Sequence, residues 1–259
     1  MGTVTNNEID TKCVHIWNIK VNLLAQDQIV NLLNARLADG CRGLYFTPVD
    51  ANVVMLAQKD KNLRDAILAS DITNVDSFLP AKYLMRGGYP IEGRVATPDI
   101  MDALLENASK LGQKVYFLGA KDSTLDILRD VVSNRFPGVD IVGMHNGYFA
   151  DTENSRIANL ISEVSPDIVF VGMPSPKKET FVLNCKDTIN AGVLYCVGGA
   201  FDALAGILPR PPKWLRFGPM EGVFRIMRNP RVYWKRAFMC FKFIRFAKNW
   251  NKSHPLKSL

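Results

Sequence analysis

The sequence has few cysteines, few histidines and no long apolar run. Five of its 259 residues are Cys and three are His, and no cysteine pair shows the Cys-x-x-Cys spacing of a zinc site or redox motif. No uninterrupted apolar stretch reaches the roughly 18 residues of a membrane-spanning helix. The first ten residues lack the apolar core of a secretory signal peptide. These absences predict a reduced, cytoplasmic protein without a metal site.

Charge is distributed unevenly along the chain. The net charge is +7, but residues 207–259 hold 13 Lys and Arg against a single acid, Glu221, and so carry +12, while the preceding 206 residues carry −5. A basic segment of this kind indicates an anionic partner, such as phosphate groups, nucleic acid or a membrane surface.

Short apolar runs alternate with amphipathic stretches through the middle of the chain. We predict strands at residues 13–24, 43–47, 114–118, 139–143, 168–171 and 192–197, and helices at 26–37, 51–69, 122–135, 152–164 and 177–189. This alternation is typical of a Rossmann-like α/β fold, a parallel sheet with flanking helices. The proline-rich stretch after Leu208 divides this α/β domain (1–208) from a basic helical appendage (209–259).

Ligands of such sheets bind beyond the carboxyl ends of the strands. Gly119 follows one predicted strand and precedes a helix, which fits either a phosphate-binding turn or a plain tight turn. Lys177 and Lys178 follow another strand and two prolines. Their charge beside a helix N-terminus suits a diphosphate; the alternative is a rigid turn with solvated lysines.

Asp76 ends a short strand-like stretch, residues 70–77. A carboxylate at a strand end can act as a general base. Aspartate is also a favoured N-cap, and a helix beginning near Phe78 would use it so. Local sequence alone favours the cap.

The appendage contains a predicted helix at 230–250, opened by Pro230. On a helical wheel its basic residues fall on one side and its apolar residues, among them Phe243 and Ala247, on the other. We favour a membrane-surface helix over one docked on the protein core. No nucleic-acid-binding motif accompanies the basic residues, so we predict no nucleic acid partner.

These motifs, taken in order, resemble the WecG/TagA/CpsF family of bacterial glycosyltransferases (glycosyltransferase family 26). The resemblance covers residues 45–236. It rests on Phe46-Thr47-Pro48, Asp76-Ser77, Arg94, Tyr116-Phe117-Leu118-Gly119, Asn146-Gly147-Tyr148-Phe149, Gly172 through Glu179, Val197 through Asp202, Arg210-Pro211-Pro212 and Asn229-Pro230-Arg231.

The resemblance implies an inverting, metal-independent transferase without a cofactor. It would move a hexose, N-acetylhexosamine or uronic acid derivative from a UDP-sugar to a polyprenyl-diphosphate-linked saccharide, in exopolysaccharide, capsule or cell-wall polymer synthesis. The enzyme would be peripheral on the cytosolic face of the plasma membrane. Asp76 would be the general base, with Thr47 in the same pocket. Substrate-binding residues would be Arg94, Gly119, Lys177, Lys178, Glu179, Gly199, Asp202, Arg210, Arg225 and Arg231.

Several positions depart from the family pattern. Ser77 replaces a glycine, Lys178 a glutamine, and Asp50 and Asn52 the usual Asn-Pro. A non-catalytic, membrane-tethered nucleotide-sugar-binding or scaffold protein of the same fold is therefore the alternative. A dinucleotide-dependent oxidoreductase is disfavoured because Gly-x-Gly-x-x-Gly is absent after the first strand. Oligomeric state is not indicated by the sequence.

Overall fold

A computed structural model describes residues 12–208, 227 and 230–253. In chain order the elements are β1 (Cys13–Ile16), β2 (Ile19–Asn22), α1 (Gln26–Ala38), β3 (Leu44–Phe46), α2 (Ala51–Ala57), α3 (Lys61–Leu68), α4 (Phe78–Arg86), α5 (Thr97–Leu111), β4 (Lys114–Gly119), α6 (Asp122–Arg135), β5 (Asp140–His145), a 3₁₀ turn (Asp151–Glu153), α7 (Asn154–Val164), β6 (Ile168–Gly172), α8 (Lys177–Cys185), β7 (Val193–Cys196), α9 (Ala200–Leu204) and α10 (Pro230–Ser253).

Strands β3 to β7 form one parallel sheet, in the order β3-β7-β6-β4-β5. The three central strands are almost wholly buried because they are apolar runs covered by helices on both faces. The Rossmann-like prediction is thereby confirmed, and the predicted central strands and helices match the observed ones within a few residues. The exceptions are α8, which is four residues shorter than predicted, and the helical stretch 51–69, which is divided into α2 and α3 at residues 58–60.

Helices cover both faces of the sheet. On one face α1, α5, α6 and α9 share a core with the strands, and on the other α7 and α8 do. The chain leaves β4 toward α6 on the first face and leaves β6 toward α8 on the second. Because β4 and β6 are neighbours, their loops diverge to opposite faces, and the edge between them is the position where such sheets bind ligands; we call this position the crevice.

A second apolar core joins the N-terminal hairpin to α2, α3, α4 and α10. The single strand predicted at 13–24 is wrong, since β1 and β2 form an antiparallel hairpin. Its turn residues, Trp17 and Asn18, have φ of 55° and 59°, as tight hairpin turns require. Neither is glycine, so the usual sequence signal for the turn was missing. The Trp17 ring is fully buried.

The long helix α10 begins at Pro230 as predicted and packs against α2 and α4. Phe243 and Ala247 are buried, and the Phe243 ring lies 5.1 Å from that of Trp17. The expectation that this apolar side faces a membrane needs correction, because it covers protein. The domain boundary at 208/209 and most of the segment before α10 lie outside the described residues.

Helix α4 begins at Phe78, where the cap interpretation of Asp76 places a helix, whereas helix α5 was not predicted from the sequence. Helix α5 begins at Thr97-Pro98, with proline in the first turn, where its missing N–H costs nothing, and ends at Gly112, which has φ of 63°. Since α5 leads directly into β4, its N-terminus lies at the carboxyl edge of the sheet, beside the crevice. This position brings a helix end to the candidate site.

Candidate active site

Two glycines face each other where the crevice opens. Gly119 ends β4 and pairs with Gly172, which ends β6. Gly119 has φ of +135°, and a Cβ there would lie 2.4 Å from the carbonyl carbon of Gly172. Glycine is therefore required by the backbone, which supports the tight-turn interpretation. Phosphate binding by this turn stays a prediction.

Tyr148 projects from the outer wall of the crevice. It follows β5 in the loop 146–149 and is 72% exposed. The family resemblance includes this motif but implies no role for Tyr148. The signal in the sequence was an aromatic residue beside Asn-Gly at a strand end. Aromatic side chains are often buried, so the sequence alone did not distinguish this exposed ring from a core residue.

Asp202 in α9 is half-buried near the same edge. Burial raises the pKa of its carboxyl, and the charge of Lys121 partly opposes that shift. The neighbouring Gly199 is exposed at the N-terminal end of α9. A carboxylate, an exposed backbone turn and an aromatic ring are groups suited to a nucleoside.

Thr47 and Asp76 lie on two adjacent chain segments that continue the sheet beyond β3. Isolated bridges pair Phe46 with Ile72 and Val49 with Val75. The Thr47 N–H donates to Ile72 O at 3.0 Å, and the Asp76 N–H donates to Val49 O at 2.9 Å. Thus the two residues that the family resemblance places in one pocket do share one small region.

The Asp76 carboxylate caps a helix, but not the expected one. Its Oδ1 accepts a hydrogen bond from the N–H of Thr97, the first residue of α5, at 2.7 Å. Ser77, not Asp76, occupies the N-cap position of α4, so the cap predicted from local sequence is wrong. Ala96, at the N-cap of α5, offers no side-chain bond, and Asp76 fills that role from 21 residues away. The helix dipole there favours a negative charge.

Arg94 lies on the segment that runs alongside Asp76. The next residue, Val95, donates its N–H to Val75 O at 2.8 Å, and the Asn74 side chain donates to Val95 O at 2.8 Å. Arg94 itself is half-buried. The arginine and the proposed base are therefore brought to neighbouring positions by the fold.

Lys178 and Glu179 form a buried ion pair at the start of α8. They are 5% and 0% exposed, and the Lys178 ammonium contacts both Glu179 Oε1 and Ser175 Oγ. Burial alone would lower the pKa of Lys178, but the Glu179 carboxylate, with Asp50 contributing, outweighs it and raises that pKa. The Lys178 ammonium is therefore shielded from solvent, and its charge is paired with that of Glu179.

Lys177 is likewise committed to protein atoms. Its ammonium donates to the carbonyl oxygens of Gly147 and Phe149. The alternative of solvated lysines is wrong for both residues. Direct contact of either lysine with a diphosphate stays a prediction, and both ammonium groups already have oxygen partners.

The ion pair adjoins three further polar groups, the side chains of Tyr45, Thr47 and Cys196. Burial raises the pKa of the Tyr45 hydroxyl and of the Cys196 thiol, and the Glu179 charge raises both further. Glu179 Oε2 is buried and has no hydrogen-bond partner among the described residues. We call this set the polar floor: Tyr45, Thr47, Ser175, Lys178, Glu179 and Cys196.

The predicted phosphate clamp cannot be placed. Arg210 and Arg225 lie outside the described residues, and at Arg231 the structure describes the α10 backbone alone. Within residues 12–208 and 230–253 there is no cluster of three or more Cys, His, Asp or Glu that could hold a metal ion. In that same part of the chain, no helix has the length and apolar character to cross a bilayer.

Two known proteins are similar to this chain over most of its length. The N-acetylglucosaminyldiphosphoundecaprenol N-acetyl-beta-D-mannosaminyltransferase of Bacillus subtilis (strain 168) is 26% identical over 236 residues, 91% of this chain and 90% of the relative. The protein of the same name from Bacillus spizizenii (strain W23) is 25% identical over 215 residues, 83% of this chain and 82% of the relative. The profile of the Glycosyl transferase WecG/TagA/CpsF family matches residues 14–255. With this coverage, and with the Rossmann-like sheet and its crevice, the chain belongs to the WecG/TagA/CpsF family of glycosyltransferases.

Proposed function

We propose that the protein transfers a sugar, with inversion, from a UDP-sugar to a polyprenyl-diphosphate-linked saccharide in bacterial surface-polymer synthesis. The observation that supports the proposal best is the position of the Asp76 carboxylate. Its carboxylate is fixed by the Thr97 N–H at 2.7 Å, at the same carboxyl edge of the sheet as the crevice but beyond β3. The family supplies the reaction class, and this geometry supplies a candidate base.

In the proposed step, the acceptor hydroxyl oxygen attacks the anomeric carbon of the donor. The bond from that carbon to the UDP oxygen breaks, and the hydroxyl proton passes to the Asp76 carboxylate. A single displacement inverts the anomeric centre and needs one base, whereas a glycosidase uses two carboxylates. Negative charge grows on the leaving UDP. Arg210, Arg225 and Arg231 are the proposed groups that stabilise it.

The crevice is the proposed donor site. Tyr148 offers an exposed ring on which a uracil base can stack, and Asp202 offers a carboxylate to ribose hydroxyls. The nucleotide would then lie at the carboxyl ends of β4 and β6, beside the exposed turn at Gly199. Its sugar would extend along the strand ends toward Asp76.

The donor sugar is proposed to be uncharged. The Lys178 ammonium is paired with the Glu179 carboxylate, so it has no surplus positive charge to attract a uronic acid. The two relatives are named as N-acetylmannosaminyltransferases that act on a diphosphoundecaprenol-linked N-acetylglucosamine. A UDP-N-acetylhexosamine donor and an N-acetylglucosaminyl lipid acceptor are therefore the first substrates to test.

The outward side of α10 is proposed to rest on the anionic membrane that carries the acceptor. Phe238 and Phe241 are 55% and 68% exposed, and Lys242, Arg245 and Lys248 are exposed among them. Exposed aromatic rings between basic side chains are typical of interfacial helices. The opposite side of α10 packs on α2 and α4, and α4 directly follows Asp76, so membrane contact would bring the proposed base close to the lipid-linked acceptor.

The transfer is tested by UDP release across a panel of UDP-sugars, with a short-chain polyprenyl diphosphate N-acetylglucosamine as acceptor and EDTA present. We expect acceptor-dependent release with a neutral N-acetylhexosamine donor. Asp76→Asn should lower the rate at least about 100-fold while UDP still binds. Asp126→Asn, at an exposed acid of α6, is the matched control. Full activity of Asp76→Asn would overturn the assignment of the base.

Membrane contact is tested by sedimentation with vesicles that contain phosphatidylglycerol. The double variant Phe238→Ser/Phe241→Ser removes two half-exposed rings, and we expect vesicle binding to fall at least about tenfold. Vesicles of phosphatidylcholine alone are the control for the basic residues. Equal sedimentation of variant and wild type would overturn the role of this side of α10.

The alternative, a non-catalytic nucleotide-sugar-binding or scaffold protein, makes a different prediction in the same experiments. It would bind UDP, seen as a rise in melting temperature, and would release none from any donor. The replacement of the family's glycine and glutamine by Ser77 and Lys178 is the observation that supports it.

A further inference from the structure

Lys177 reaches from the first turn of α8 to the neighbouring loop 146–149, whose Phe149 shares the α8 face of the sheet. Its Nζ donates to Gly147 O at 3.0 Å and to Phe149 O. The same ammonium lies 4.1 Å from the centroid of the Phe149 ring, within cation–π range. The two carbonyls that it binds are those on either side of Tyr148.

The same loop is attached to β4 and α6 from the other direction. Gly147 N–H donates to Ala120 O at 3.0 Å, and the Asn146 amide donates to Asp122 at 3.1 Å. A Cβ at Gly147 would lie 2.9 Å from Met173 Cγ, so the loop presses against the crevice wall. The hydrogen bonds of Lys177 attach the loop to α8 as well.

The other residues of the loop 146–149 are bonded to or packed against neighbouring residues, whereas the Tyr148 side chain faces solvent. The Tyr148 N–H donates to Asn146 Oδ1 at 3.0 Å, and its ring is 72% exposed. An exposed ring on a fixed backbone loses little further freedom when it stacks on a ligand, which favours binding.

We infer that Lys177 is a positioning residue for the nucleoside part of the donor: it fixes both carbonyls beside Tyr148 and so presents the ring to the base. This inference rests on the proposed function. It differs from the sequence-based expectation, in which Lys177 binds the diphosphate directly. A positioning role affects any ligand that contains uracil, whereas a phosphate contact affects only ligands that carry phosphate.

The test compares uridine with UDP, by calorimetry for UDP and by competition against UDP for uridine. Lys177→Met keeps the length of the side chain and removes its charge. We expect the dissociation constants of uridine and of UDP to rise by the same factor, about tenfold, with KM for the donor rising likewise and kcat at saturating donor within about twofold. Lys110→Met, at an exposed lysine of α5, is the control and should change neither constant.

A double-variant cycle with Tyr148→Ala sharpens the result. If Lys177 acts through Tyr148, adding Lys177→Met to Tyr148→Ala should weaken uridine binding by less than about twofold further. Lys177→Arg retains a donor and should restore most of the affinity, which also guards against misfolding of Lys177→Met.

Three outcomes would overturn the inference. Weaker UDP binding with unchanged uridine binding would make Lys177 a phosphate ligand. Unchanged binding of both would mean that the loop holds its place without the lysine. Failure of the wild-type chain to bind UDP would overturn the proposed function, and this inference with it.

Discussion

The polar floor and the crevice lie side by side at the same edge of the sheet, but they are built in opposite ways. In the floor, Lys178 and Glu179 are buried and bonded to each other and to Ser175. In the crevice, the Tyr148 ring is exposed, and the backbone at Gly199 is exposed as well. One region satisfies its charges internally, and the other leaves groups available to a ligand.

The comparison shows that neighbouring residues of one sequence motif can contribute in different ways, one to stability and another to ligand binding. Lys177 and Lys178 are consecutive, yet one holds the crevice loop and the other neutralises a buried carboxylate. We expect substitutions in the floor to reduce stability first and substitutions in the crevice to reduce donor binding first. The three predictions below test that division.

The largest effect is expected for Lys178→Met. Removing the ammonium leaves the Glu179 carboxylate buried without its partner, and loss of one member of a buried pair costs about 3–5 kcal/mol. Urea unfolding should show this loss of stability. Lys178→Gln, which restores the family's usual residue, should cost less because its amide can still donate to Glu179. Equal stability of Lys178→Met and wild type would contradict the assigned role of the pair.

A smaller effect, on binding alone, is expected for Tyr148→Ala. Loss of a base-stacking ring should weaken UDP binding by about 2 kcal/mol, roughly 30-fold. The melting temperature without ligand should hardly change, because the ring is exposed. Calorimetric titration with UDP measures the first, and Tyr148→Phe should bind as wild type. A variant that unfolds earlier yet binds UDP normally would reverse the comparison.

The smallest effect concerns the floor at alkaline pH. Burial raises the pKa of the Cys196 thiol above its unfolded value, so the unfolded chain releases this proton first. Its contribution to stability is complete below about pH 8.5 and declines above it, by up to about 1.4 kcal/mol per pH unit. Unfolding free energies at pH 7.5 and 9.5 should therefore differ by about 1 kcal/mol less in Cys196→Ala. Cys41→Ala, at a half-buried thiol, is the control.

The pKa values of Tyr45, Tyr195 and Lys178 are also raised. Because each raised pKa means that the unfolded chain loses its proton first, these groups also lower the free energy of unfolding at higher pH. Wild-type stability should therefore continue to fall as the pH rises beyond 10. Stability that rises as the pH increases beyond 10 would contradict the direction of these three shifts.

The sequence by itself determined the parallel sheet and the edge at which its ligands bind. Short apolar runs that end in glycine and alternate with amphipathic stretches, such as the one before Gly119, indicate buried strands between helices. It also determined helix α10 from Pro230 onward, because proline and the periodic spacing act locally. Family membership followed from motifs in fixed order.

Only the tertiary structure decided what the key side chains touch. Asp76 caps α5 through Thr97, Lys177 holds carbonyls 28 and 30 residues away, and Phe243 packs on Trp17 from the other end of the chain. Local patterns report backbone propensity and the sidedness of a helix. They carry no information on which distant surface meets that side, because such contacts exist only after the chain has folded.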